Sequence, residues 1–353
     1  MSLLDKIKKN STIQESSILS KSKLFTEKDM IPTSVPMINV ALSGKLDGGL
    51  TPGLTMWAGP SKHFKTAFSL LMAKSYLDKY EDAALLFYDS EFGTPQSYFT
   101  SFGINPDRVL HSPLTDIEEL KFDIMKQLSE IKRGDKLIIV IDSIGNLASK
   151  KEVDDAMDGK SVADMSRAKQ NKSLFRMITP HLNLKDIPMI VVNHTYKTME
   201  LYSKDVVGGG TGSYYSADNI FIIGRQQEKE AGEVSGYNFI INVEKSRYVK
   251  EKSKIPITVS FTGGISRWSG LLDVALDSGH VTKPSTGWYS KVDEDGVIED
   301  KKYRIADTNN KEFWLSILKM KSFQDYIEKT YRVASGDILS DGEGGLMEEM
   351  ANA

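Results

Sequence analysis

Five apolar runs limit what this chain can fold into: LTMWAG (54–59), ALLFYD (84–89), LIIVID (137–142), IPMIVVN (187–193) and NIFIIG (219–224). Each is short and mostly apolar, and stretches with helical periodicity separate them. A strand that is apolar on both faces must be covered on both faces. The pattern therefore predicts an α/β fold with a mostly parallel central sheet. Several runs deliver polar residues at their C-terminal ends, and in an open parallel sheet those ends converge on one crevice.

The 353 residues divide by composition. Residues 1–30 mix Lys, Ser, Thr and Glu with Leu3, Leu4, Ile7, Leu19, Leu24 and Phe25, which suits a short helix and a linker that pack on another surface. Residues 31–270 carry the strand-helix alternation of the core. Residues 271–333, with the aromatic helical segment EFWLSILKMKSFQDYIEKTY (312–331), read as a small C-terminal α/β lobe, and the Gly-rich, acidic residues 334–353 as a mobile tail.

No apolar run approaches the ~20 residues that span a bilayer, and MSLLDKIKKN lacks the features of a secretory signal, so the expected location is the cytoplasm, away from any membrane. With no cysteine and five scattered histidines, thiolate and zinc-type sites are excluded, leaving Mg2+ held by oxygens and phosphates as the expected metal. The net charge of −3 excludes bulk electrostatic attraction to nucleic acid, so any DNA contact must come from local basic surfaces.

The octapeptide Gly59-Pro60-Ser61-Lys62-His63-Phe64-Lys65-Thr66, continued by Ala67, lies between an apolar strand and a helical pattern, the context of a phosphate-binding loop. Backbone N–H groups at the helix start would face phosphates, Lys65 would reach the β/γ oxygens, and Thr66 would offer its hydroxyl to Mg2+. Phe64 stands where the usual pattern has glycine, and a side chain there opposes a left-handed turn. An ordinary Gly-Pro turn before a helix is the alternative. Asp142 ends one strand, where a carboxylate can hold a metal-bound water. Asp89 and Glu91 follow another, where one carboxylate can orient and deprotonate an attacking water. Asn193 and His194 end a third and could sense a γ-phosphate. Taken singly, each could instead be a cap, a loop charge or a satisfied core histidine. Four strand ends with complementary chemistry are less easily explained that way.

Two segments beside this crevice have the character of DNA loops. The stretch 149–176 includes Lys150, Lys151, Arg167, Lys169, Lys172 and Arg176, with a solvated helix face as the alternative. The stretch 195–218 combines Lys197 and Lys204 with several tyrosines and Gly208-Gly209-Gly210, a mobile segment with stacking groups suited to single strands. VEKSRYVKEKSK (243–254) adds Lys245 and Arg247, and alternation would place Lys250, Lys252 and Lys254 on one strand face.

GGLTPGLTMWAGPSKHFKT, LLFYDSEFG, IDSIGNLASKKE, RAKQNKSLFR, VVNHTY, VGGGTG, SADNIFIIG, VEKSRYVKEKSK and GWY together resemble the RecA family of recombinases, in its T-even-type bacteriophage branch. The resemblance runs from about residue 22 to 331. It implies ATP and Mg2+ bound by Lys65 and Thr66, with Asp142 supporting the metal water. It implies Glu91 as general base, Tyr98 as the adenine-stacking residue and His194 as γ-phosphate sensor. Lys245 and Arg247 would reach the γ-phosphate of a neighbouring subunit. That branch also lacks the second loop glycine, which accommodates Phe64.

The expected function is an ATP-dependent recombinase that forms filaments on single-stranded DNA and pairs it with double-stranded DNA. A ring-forming helicase of the same fold and a non-hydrolysing DNA-coating module are the alternatives. A recombination mediator and a phage single-strand-binding protein are partners implied by the resemblance alone.

Overall fold

The computed structural model describes residues 2–13, 15–22, 28–159, 166–199, 203–230 and 233–333. The strands are β1 (Gly53–Ala58), β2 (Ala84–Asp89), β3 (Val109–Pro113), β4 (Leu137–Asp142), β5 (Pro188–Asn193), β6 (Thr195–Lys197), β7 (Asp205–Val207), β8 (Asn219–Glu230), β9 (Glu233–Ser246), β10 (Lys254–Ser260), β11 (Gly264–Ile265), β12 (Val281–Ser285) and β13 (Trp288–Lys291). The helices are α1 (Leu3–Asn10), α2 (Pro36–Ser43), α3 (Lys65–Lys79), α4 (Gln96–Ser101), α5 (Ile117–Glu130), α6 (Lys150–Met157), α7 (Ser166–Lys185), α8 (Thr211–Ser216), α9 (Leu271–Asp277), α10 (Lys311–Lys319) and α11 (Lys321–Tyr331).

Nine strands form one sheet in the order β11-β10-β9-β8-β1-β5-β4-β2-β3. The six from β8 to β3 run parallel, and β9, β10 and β11 extend the sheet antiparallel. Every residue of β1, β4 and β5 is buried, as their continuous apolar sequences require. On one face Trp57, Phe87 and Phe221 pack under α2 and α3, which contributes Phe68, together with Phe313, Trp314 and Phe323 of the C-terminal lobe. On the other, Met56, Tyr88, Ile139 and Val191 pack under α5 and α7.

The segment 312–331 is two helices, with Met320 extended between them at φ −65°, ψ 125°. Phe313, Trp314 and Ile317 are the buried residues of the first helix, and Phe323 and Ile327 those of the second. The basic stretch also differs from expectation. β9 ends at Ser246, and Lys250 and Lys252 lie in the turn before β10, so only Lys254 is in a strand. Lys250 Nζ donates to the carbonyls of Lys329 and Thr330 at the end of α11, at 2.6 and 3.1 Å. These lysines do not form one cationic face.

Helix α1 has no buried residue: Leu3, Leu4 and Ile7 are exposed, which leaves its apolar side for another surface. Leu24, Phe25 and the acidic segment 334–353 lie outside the described residues.

Helix α8 sits directly on α7, where a Cβ on Gly212 would lie 2.5 Å from Lys172 Cα. Gly212→Ala must push the helices apart, at about 1–3 kcal/mol. The expected outcome is a lower melting temperature and faster limited proteolysis within 195–218; an unchanged digestion pattern would show that the close approach is not required.

Candidate active site

The C-terminal ends of β1, β2, β4 and β5 open into one cavity of about 420 Å³. Its lining includes Ser61, Lys62, His63, Phe64, Lys65, Thr66, Ala67, Glu91, Tyr98, Asp142 and His194. Gly59 and Pro60 are not among the lining residues, but Lys65 Nζ donates to their carbonyls at 3.0 and 2.7 Å, which keeps the ammonium folded back against its own loop. Burial pulls the Lys65 ammonium below its ordinary range, against the attraction of Glu91 and Asp142.

Phe64 meets the conformational demand of the missing glycine by adopting it. Its backbone is left-handed, φ 60° and ψ 17°, at the N-cap of α3. The ring stacks on Phe239 of β9, with centroids 5.2 Å apart and planes at 22°. The sequence pattern did not contain this partner.

Thr66 Oγ1 donates to Asp142 Oδ2 at 2.6 Å. The other oxygen, Asp142 Oδ1, is buried and has no hydrogen-bond partner. An orphaned carboxylate oxygen beside a threonine hydroxyl fits a hard cation that seeks oxygen. Among the described residues no group of three or more His, Asp or Glu could hold an ion, so phosphate and water would complete its shell. Burial pushes the Asp142 carboxyl up to about 6, with the Thr66 hydrogen bond opposing and Glu91 and Asp89 adding to the rise.

Glu91 is perturbed in the opposite direction. Its Oε1 accepts from His194 Nε2 at 3.0 Å and from Ser143 Oγ at 2.6 Å. The His194 contact, then Ser143 and Lys65, hold the carboxyl down at about 2 against the effect of its partial burial. Ser143 is in turn fixed by Ser90, whose Oγ donates to the Ser143 carbonyl at 2.7 Å. Both serines escaped the sequence reading; their signal was a hydroxyl directly after each strand-terminal aspartate. Asp89 accepts from the backbone N–H groups of Glu91 and Phe92 and pairs with His111, so it shapes the turn that presents Glu91.

Asn193 ties this cluster to the next segment. Its Nδ2 donates to the Gly208 carbonyl at 2.9 Å, and Gly208 N donates to the His194 carbonyl at 2.9 Å. A Cβ on Gly145 would lie 2.5 Å from the His194 ring, so the imidazole is seated against bare backbone.

β6 pairs antiparallel with β7, and Lys197 meets Asp205 across the pair at 3.1 Å. Lys204 is exposed, and Gly209 and Gly210 turn the chain into α8 with φ of 87° and 81°. Lys150 and Lys169 are exposed on α6 and α7, while Lys151 pairs with Asp155 at 2.7 Å and Arg167 donates to the Gly145 carbonyl. Residues 160–165 and 200–202 of these stretches lie outside the described set.

Lys245 and Arg247 do not line the crevice of their own chain. Lys245 Nζ donates to the Tyr214 carbonyl at 2.7 Å, and Arg247 pairs with buried Asp218. The register shift between Ile220 and Phe221 puts an extra residue, Glu244, just before Lys245, which re-aims the strand end.

Fold and crevice together define a RecA-type recombinase, and the chain belongs to the RecA family. Residues 3–266 match the RecA N-terminal domain, and residues 268–327 match the C-terminal domain of the bacteriophage T4 recombination and repair protein. The recombination and repair protein of Enterobacteria phage T4 is 50% identical over 340 residues, covering 95% of this chain and 87% of that protein. Protein RecA of Ruminococcus albus is 24% identical over 334 residues, covering 92% and 79%. Protein RecA of Tropheryma whipplei is 28% identical over 304 residues, covering 85% and 65%. Among the described residues no helix is long and apolar enough to cross a membrane.

A buried carboxylate with a raised pKa destabilises the fold wherever it is ionised. For Asp142 that penalty is absent below its unfolded value near 3.8 and complete above about 6. In metal-free buffer, Asp142→Asn should therefore raise the melting temperature by about 2–4 °C at pH 7.5 and have no such effect at pH 3.5. A variant less stable than the parent at pH 7.5 would contradict the assigned environment.

Proposed function

We propose that this recombinase is a DNA-dependent ATPase that polymerises on single-stranded DNA and drives its pairing and strand exchange with a homologous duplex. The observation that carries the reading is the convergence of the phosphate loop, Asp142, Glu91 and His194 on one cavity of about 420 Å³. In this reading the N–H groups at the start of α3 receive the phosphates, and the Lys65 ammonium swings from the Gly59 and Pro60 carbonyls to the β/γ oxygens. Thr66, and Asp142 through a water, would hold Mg2+, which neutralises phosphate charge when bound. Tyr98, half-buried in the lining, supplies an aromatic face for the base.

Hydrolysis requires a water to attack the γ-phosphorus as the bond to the β-phosphate oxygen breaks, with Glu91 accepting the water's proton. While His194 and Ser143 hold it near 2, Glu91 is a weak base. A γ-phosphate oxygen that takes the His194 hydrogen bond removes the largest of those holds. The carboxylate becomes more basic only when a triphosphate is present. The same movement is passed through Asn193 to Gly208 and the 195–212 segment. With 149–163, that segment is assigned to DNA, and the contacts fall to Lys150, Lys151, Arg167, Lys169, Lys197, Lys204 and the Gly208–Gly210 backbone.

Lys245 and Arg247 would complete the γ-phosphate site of a neighbouring copy, a reading supported by their not lining their own crevice. The exposed apolar side of α1 suits docking on the adjacent core. The division into residues 1–30, 31–270, 271–333 and 334–353 follows the same assignments. A mediator and a single-strand-binding protein are further partners of this reading, and the cytoplasm of an infected cell is its setting.

Lys65→Ala should lower ATP turnover by about 100-fold or more while the protein stays folded. Wild-type rates in that variant would remove the crevice from the chemistry. Lys204→Ala should reduce the slope of log affinity for single-stranded DNA against log salt by about 0.7. An unchanged slope in fluorescence-anisotropy titrations would remove Lys204 from the phosphate contacts.

A further inference from the structure

The phosphate loop carries two non-glycine residues in left-handed backbone, Lys62 and Phe64, both at φ 60°. Such conformations persist only where surrounding structure holds them. Both are held by the same element, the β8–β9 hairpin. Phe64 stacks on Phe239 and meets Phe68 edge-on at 5.8 Å. The Lys62 carbonyl accepts a hydrogen bond from Arg225 Nη1 at 3.2 Å. Arg225 and Phe239 are direct cross-strand partners and so share one face of the hairpin. Tyr237, two residues along the same face, lies under the Arg225 guanidinium at 4.7 Å.

We propose that Phe64, Phe239 and Arg225 form a clasp that pre-organises the phosphate loop, so that Phe239 and Arg225 act as positioning residues for nucleotide although neither lines the cavity. A loop with glycine at position 64 would reach the same turn without steric cost but would also sample many others. With phenylalanine the loop is kept in its binding shape by the ring stack, and less conformational freedom is lost when phosphate arrives. The hairpin thereby substitutes for what glycine normally permits.

This inference rests on the crevice binding nucleotide, and the test separates the two claims. ATP turnover and fluorescent-ADP affinity are measured for Phe64→Gly, Phe239→Leu, their combination, Phe64→Tyr and Lys65→Ala, at a temperature where melting curves show every variant folded. The clasp predicts that Phe239→Leu and Phe64→Gly each raise the nucleotide Kd and KM roughly threefold to tenfold, with a much smaller change in kcat. The combined variant should be no weaker than either single one, because both remove the same contact. Phe64→Tyr, which keeps the ring stack, should bind nucleotide more tightly than Phe64→Gly. Loss of binding in Lys65→Ala alone, with Phe239→Leu unchanged, would overturn the clasp and leave the crevice intact. Multiplying effects in the combined variant would also overturn it. Equal binding by the parent and Lys65→Ala would overturn the nucleotide reading itself.

Discussion

The site depends on one constraint: a parallel sheet buried on both faces keeps most of its strand length apolar and gathers its charged groups at the strand ends. Asp89, Asp142 and Asn193 are each the last residue of an otherwise apolar strand, and each is buried. Burial makes their hydrogen-bond partners decisive. Asn193 is satisfied by a backbone carbonyl and Asp89 by two backbone N–H groups and a histidine, so both are structural anchors. Asp142 alone among these three keeps a buried oxygen without a partner. The same sheet edge therefore supplies both the rigid frame and an unsatisfied carboxylate oxygen that a cation with phosphates would complete.

Opposed electrostatics follow from that arrangement. Asp142 and Glu91 share one cavity, yet burial drives the first carboxyl up to about 6, and hydrogen bonds from His194 and Ser143 drive the second down to about 2. Two carboxylates separated in this way suit different tasks. One needs a positive ion to be comfortable when charged. The other is held ionised and unreactive by a histidine that also touches the route to the 195–212 segment through Gly208.

Much of this was legible in the sequence because continuous apolar strands are a strong signal, and their terminal residues mark the crevice. Residues whose role depends on side-chain direction were not legible. The pattern shows that Phe64 replaces glycine, but only the fold shows Phe239 stacked on its ring. Strand β9 itself alternates, with Phe239, Ile241 and Val243 buried, as expected where one sheet face is less covered, so a search for unbroken apolar runs passes over it. Lys250 and Lys252 looked like a strand face because alternation cannot reveal that the chain has already turned at Ser246. The break at Met320 was hidden for a similar reason: helical propensity runs through it, and the buried positions on its two sides fit one broad face of an unbroken helix.

In the proposed head-to-tail assembly, Lys245 and Arg247 of one copy would complete the crevice of the next. The most direct measurement mixes two inactive variants, Glu91→Gln and Arg247→Ala, on single-stranded DNA and follows ATP turnover. In random mixed assemblies about a quarter of the interfaces would join an intact Glu91 to an intact Arg247, so turnover should recover to about that fraction of the parental rate. Turnover no greater than the sum of the two variants alone would contradict the account and return both residues to their own subunit.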